Sequence, residues 1–125
     1  MSTIKTETLS TPSNSTVPVD TVVNGTAKAW VNFNGSGTVA ISRAFNVSSI
    51  TDIGTGYYTV NFTTAMPDAN YALLGTSRLP SQNGVVVIVD MGDATRSTTV
   101  ATIQTIGGTS FGLQDSAYNN VAIFR

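Results

Sequence analysis

From Gly25 onward, apolar and polar residues alternate along the chain with a period of two. In "AKAWVNF", Ala29, Val31 and Phe33 fall on one side while Lys28, Trp30 and Asn32 fall on the other. In "YYTVNF", Tyr58, Val60 and Phe62 oppose Tyr57, Thr59 and Asn61. Successive side chains of a strand point to opposite faces, so the first set of each run is the core set. The runs "GTVAI", "AFNVSSI", "YALLGT", "GVVVIVDM", "STTVATIQTI", "SFGLQD" and "VAIF" are likewise rich in Val, Ile, Thr and aromatics, with Gly, Asn, Asp or Pro between them. No window carries a capped 3.6-residue period. The pattern predicts an all-β chain, an antiparallel β-sandwich of about eight or nine strands, jelly-roll-like or otherwise wound. "VVVIV", apolar at consecutive positions, is expected to be covered on both faces, in the middle of the sandwich or of an assembly.

Residues 1–24, "MSTIKTETLSTPSNSTVPVDTVVN", differ in kind. They are polar and β-branched, broken by Pro12 and Pro18, and hold few bulky apolar side chains. An extended N-terminal arm over 1–24 and a β-sandwich domain over 25–125 follow. At 125 residues this is one domain's worth of chain.

Two outward aromatics need an explanation. Trp30 and Tyr57 both sit on the polar side of their strands, and a large ring among Lys, Thr and Asn is common at interfaces. A covering loop or arm, a subunit interface or a ligand could each account for them. Charged residues are only 10% of the chain, against about 25% in ordinary soluble domains, while Ser, Thr and Asn make up about a third. The surface is therefore built from hydroxyls and amides. A net charge of -1 provides no field to attract nucleic acid or an anionic membrane surface, so neither is an expected partner.

The chemistry available is narrow. The chain has no His and no Cys, which removes the usual nucleophilic triads, the common zinc sites and disulfides. Asp90 and Asp93 in "VDMGDAT" are close enough for part of a calcium loop but lack the spacing of a full ligand set, and read better as a solvated turn. Glu7, Asp52, Asp68, Asp90, Asp93 and Asp115 form no carboxylate pair that would mark glycoside hydrolysis. "GSG" at 35–37, "GTG" at 54–56 and "GG" at 107–108 precede no helix and read as hairpin turns. No enzyme, cofactor or metal site is expected. Five Asn-x-Ser/Thr sequons, at Asn14, Asn24, Asn34, Asn46 and Asn61, are chance products of the composition, because no signal peptide precedes them. The expectation is a soluble protein made in a cytoplasm.

Residues 25–73, "GTAKAWVNFNGSGTVAISRAFNVSSITDIGTGYYTVNFTTAMPDANYAL", closely resemble a block recurrent in tail-fibre and related virion proteins of bacteriophages, those of cyanobacteria included. The opening "MSTIKTETLS" resembles the start of short phage fibre proteins. The resemblance implies a β-rich, non-catalytic virion protein that assembles as a homotrimer. The expected form of the block, "DNGTGDYTVNF", is polar where this chain has Ile53 and Tyr57, so Trp30, Ile53 and Tyr57 become candidates for a subunit or virion interface. Two settings stay open. One is a small tail-fibre or tip domain contacting the host surface; the other is a capsid decoration (cement) protein on the head lattice, favoured by the lack of a long shaft segment. A carbohydrate depolymerase is a third, poorly supported reading. The implied partners are sister subunits, other virion proteins held through the arm, and host-surface carbohydrate. For a receptor-binding tip, "RLPSQNG" and "FGLQDSAYNN" are the expected contact loops, with Arg78, Gln82, Asn83, Tyr118 and Asn119 as stacking and hydrogen-bonding groups.

Overall fold

The computed structural model describes residues 2–78, 86–91, 96–108 and 110–125. The elements in chain order are β1 (Thr8–Ser10), β2 (Thr16–Pro18), α1 (Val19–Gly25), β3 (Ala29–Asn34), β4 (Ala40–Phe45), β5 (Val47–Gly54) and β6 (Tyr57–Phe62). They continue with β7 (Ala72–Arg78), β8 (Val86–Asp90), β9 (Val100–Gly107), β10 (Gly112–Leu113) and β11 (Tyr118–Phe124). The chain is mostly antiparallel β-sheet, as the alternation predicts.

Two sheets carry the core. One has the order β4-β3-β11-β7; the other runs β10-β9-β6-β5, with β8 on the opposite edge of β9 from β6. The hairpins β3–β4, β5–β6 and β9–β10 turn at the glycine sites the sequence marks, and β8 pairs with β9. The residues chosen by alternation are the buried ones: Ala29, Val31 and Phe33 from β3, and Tyr58, Val60 and Phe62 from β6. They join Ala101 and Ile103 of β9 and Val121 and Ile123 of β11 in a single cluster. Phe33 and Tyr58 meet edge to face across the two sheets, with centroids 5.2 Å apart. Such a pair adds about 0.5–1.5 kcal/mol beyond the area it buries. A second cross-sheet contact is tighter: a Cβ on Gly75 of β7 would come 2.8 Å from Ile88 of β8, so glycine is what lets Ile88 sit against that backbone.

Three expectations need correction. The arm contains a short helix, α1, which starts behind Pro18, carries Asp20 in its first turn and runs to Gly25, past the expected boundary. Proline before a helix and an acidic first turn favour that start locally, a signal that a search for long periodicity passes over. The rest of the arm is not simply extended, because β1 and β2 pair as a hairpin; none of the α1 residues is buried. Finally, β8 is not in the middle of the sandwich, the first of the two settings expected for it. It is bonded to β9 on one side, Ile88 turns to the core and Val89 stays partly exposed. Val85 lies outside the described residues.

A polar network closes one end of the core. The Tyr58 hydroxyl lies 2.8 Å from the Gly35 carbonyl and 2.7 Å from Asp115 Oδ1, which also accepts the Gly56 amide at 2.7 Å. Burial, reinforced by the Asp115 carboxylate, pushes the Tyr58 phenol far above the usual tyrosine range. Gly35 makes this approach possible, since a Cβ there would fall 2.5 Å from the hydroxyl oxygen. At another point of the fold, Arg96 pairs with Asp90 and stacks over the Tyr71 ring at 4.4 Å.

Candidate interaction surface

The outward face of the β4-β3-β11-β7 sheet is organised in rows, because residues directly opposite each other in antiparallel strands share a face. Phe45 is opposite Trp30, Trp30 is opposite Ala122, and Ala122 is opposite Leu74. This apolar row crosses all four strands. Phe45, Trp30 and Leu74 are 54%, 40% and 55% exposed. Trp30 and Leu74 flank Ala122, whose small side chain leaves a shallow groove of about 450 Å³ that Asn32, Thr76 and Asn120 also line.

The next row is polar throughout: Arg43, Asn32, Asn120 and Thr76. Its side chains are linked, Asn32 Nδ2 donating to Asn120 Oδ1 at 2.7 Å and Asn120 Nδ2 to Thr76 Oγ1 at 3.3 Å. One row further on, Tyr118 is opposite Arg78, and the guanidinium stands 5.4 Å from the ring centroid.

Trp30, Arg78 and Tyr118 therefore come together on one sheet face. Ile53 and Tyr57 do not join them. They belong to the other sheet, where Tyr57 is half-buried opposite Gln104 and Ile53 is the exposed extra residue of an irregularity between Asp52 and Gly54. The outward face of that sheet is bonded within itself: Thr59 and Thr102 hydroxyls are 3.1 Å apart, and Asn61 Nδ2 donates to Thr51 Oγ1 at 2.9 Å. Within one chain Trp30 is thus not part of one patch with Ile53 and Tyr57, because they lie on different sheets.

Asn119 is corrected more sharply. It lies in β11 rather than a loop and is fully buried, its Nδ2 donating to the Ser116 carbonyl at 2.8 Å and its Oδ1 accepting from Ser77 Oγ at 2.6 Å. It shares the inward face with Val121 and Ile123, so it is a structural amide and no receptor contact. Tyr118 also starts β11 but points outward and is 55% exposed. Gln82, Asn83 and Asp93 lie outside the described residues. Asp90, read as part of a solvated turn, ends β8 and pairs with Arg96. Among the described residues there is no cluster of acidic side chains that could hold a metal ion, and no helix long and apolar enough to cross a membrane.

Leu74, Phe45 and the amide row escaped the reading of the sequence. Leu74 had a signal: in "YALLGT", Leu73 and Leu74 are adjacent and must face opposite ways, as Tyr57 and Tyr58 must. The amide row had none, because its members come from strands far apart in the chain. Comparison with known protein families, characterised proteins and solved structures finds no match for this chain.

Proposed function

We propose that this chain is a non-enzymatic structural protein of a phage virion: a small β-sandwich that assembles as a homotrimer and forms or tips a short tail fibre touching the host surface. Support for the sandwich comes from the two sheets whose inward residues share one cluster. The chain makes hairpins at β3–β4, β5–β6 and β9–β10 and changes sheet after β4, β6, β7 and β10. The virion setting is supported by the likeness of residues 25–73 and of the opening decapeptide to phage fibre proteins.

The observation that carries the assembly role is the apolar row Phe45–Trp30–Ala122–Leu74, which runs unbroken across one sheet face of a weakly charged chain. A contiguous exposed apolar strip marks an interaction site, and sister subunits are its natural occupants in a closed assembly. The capsid-decoration reading has its own support in the arm. Ile4, Leu9, Val17, Val22 and Val23 are all exposed there, a chemistry suited to lying across neighbouring subunits.

Two measurements test the proposal. Sedimentation of the full chain should give three times the 13.0 kDa chain mass; a monomer at micromolar concentration removes the trimer. Gold labelling of intact particles should mark the tail. Label over the head lattice would select decoration, and label on neither would end the virion reading.

A further inference from the structure

The two sheets differ in charge. The strands β3, β4, β7 and β11 contain Arg43 and Arg78 and no carboxylate, whereas the strands of the other sheet contain Asp52 and Asp90 and no cation. Arg96 and Arg125 have carboxylate partners, but Arg43 and Arg78 have none among the described residues. Both face outward in rows that also hold the bonded amides of Asn32 and Asn120, the Thr76 hydroxyl and the exposed Tyr118 ring. Three strand spacings separate the β4 edge from the β7 edge, roughly 14 Å. Two cations thus bracket a flat strip of hydrogen-bonding groups with an aromatic ring at one end.

We propose that this strip, Arg43–Asn32–Asn120–Thr76 with Arg78 and Tyr118, binds a short stretch of an acidic, uronate-bearing polysaccharide. Each part of such a ligand has a counterpart. A guanidinium fork matches a carboxylate, side-chain amides and a hydroxyl match sugar hydroxyls, and an exposed ring suits the apolar face of a pyranose. Charge argues against one alternative occupant: a second copy docked face to face about a two-fold axis would bring Arg43 and Arg78 against the same cations. A head-to-tail contact onto the sheet that holds Asp52 and Asp90 is the other alternative, and it would register as a change of oligomer mass in the Arg78→Gln and Asn120→Ala variants. Nucleic acid is disfavoured because its affinity grows with the number of phosphates neutralised, and the two cations of this strip, on a chain of net charge -1, neutralise few. The inference names the ligand class of the host-contacting surface and rests on the proposed function for that setting. Binding is measured on the isolated protein, so its failure is separate from a failure of particle labelling.

The test is calorimetric titration of the full chain with oligogalacturonate, using neutral malto-oligosaccharide and oligothymidylate as comparisons. The uronate oligomer should bind at least about tenfold more tightly than either, and the binding should weaken as salt is raised. Arg78→Gln and Asn120→Ala should each weaken it by about tenfold, with folding and sedimentation unchanged. The proposal is overturned if oligogalacturonate shows no binding at millimolar concentration, or if the neutral sugar or oligothymidylate binds equally well. It is also overturned if both variants bind as the parent does, or if they change the oligomer mass instead.

Discussion

The Tyr58 hydroxyl stands 2.7 Å from Asp115 Oδ1 and 2.8 Å from the Gly35 carbonyl, so one phenolic proton serves two acceptors at the end of the core. The contact ties β6 to the turn after β3 and to the segment leading into β11. The folded state holds the Tyr58 proton more tightly than the unfolded chain does. The resulting stability is complete below the unfolded tyrosine value near 10 and is lost as pH rises beyond it. Tyr58→Phe should cost about 1–3 kcal/mol at neutral pH, because buried acceptors lose their donor. It should also flatten the decline above pH 10, leaving the smaller part due to Tyr71, whose phenol is raised by burial. Urea unfolding from pH 7 to pH 11 reads both effects.

Gly75 and Ile88 make a reciprocal pair. Gly75→Ala should destabilise by about 1–3 kcal/mol through overpacking against Ile88. Adding Ile88→Val should recover part of the loss, so the double variant should be more stable than the two single effects added together. Equilibrium unfolding of the three variants decides it; strict additivity would mean that the side chains do not meet.

Trp30 and Tyr57 lie on opposite sides of the fold, so their substitutions should separate. Trp30→Asp should leave the circular dichroism spectrum unchanged and cost at most about 1 kcal/mol within the subunit, since the ring is already partly exposed. Sedimentation should show the oligomer dissociating. Tyr57→Asp is expected to leave the oligomer intact and to weaken incorporation into particles. Dissociation by Tyr57→Asp alone would move the subunit contact to the other sheet.

Asp68 and Arg125 form a two-point ion pair, Arg125 Nε donating to Asp68 Oδ1 at 2.8 Å. The guanidinium, helped by the Asn70 amide, holds the Asp68 carboxyl below the usual carboxylate value. A depressed carboxyl contributes stability present above its unfolded value and lost as pH falls through the folded one. Arg125→Gln should raise the Asp68 midpoint in an NMR titration. Because the pair is solvent-exposed, stability at neutral pH should hardly change.

Deleting residues 1–24 should leave the β-domain folded, with a melting temperature within a few degrees of the parent, because β1 pairs with β2 alone and no residue of α1 is buried. Assembly onto particles should fail. A truncated protein that does not fold would make the arm part of the core.

The alternation of side chains along each strand is a local property, and it was enough to identify Phe33, Tyr58, Val60 and Phe62 as inward and Trp30 and Tyr57 as outward. The glycine turns are equally local, since backbone geometry there depends on the residues of the turn itself. Applied with the same rigour to "YNNVAIF", alternation would have put Asn119 inside with Val121. Pairing between strands is a different matter. Trp30 meets Ala122, and Ala122 meets Leu74, across long separations in the chain, and nothing local to any of these residues specifies its lateral neighbour. Which outward residues form one surface was therefore decided by tertiary structure: it gathered Trp30, Arg78 and Tyr118 on one sheet and sent Ile53 and Tyr57 to the other. The physical reason is that a strand's own sequence sets which way its side chains point, whereas the strand beside it is selected by the burial of the whole core.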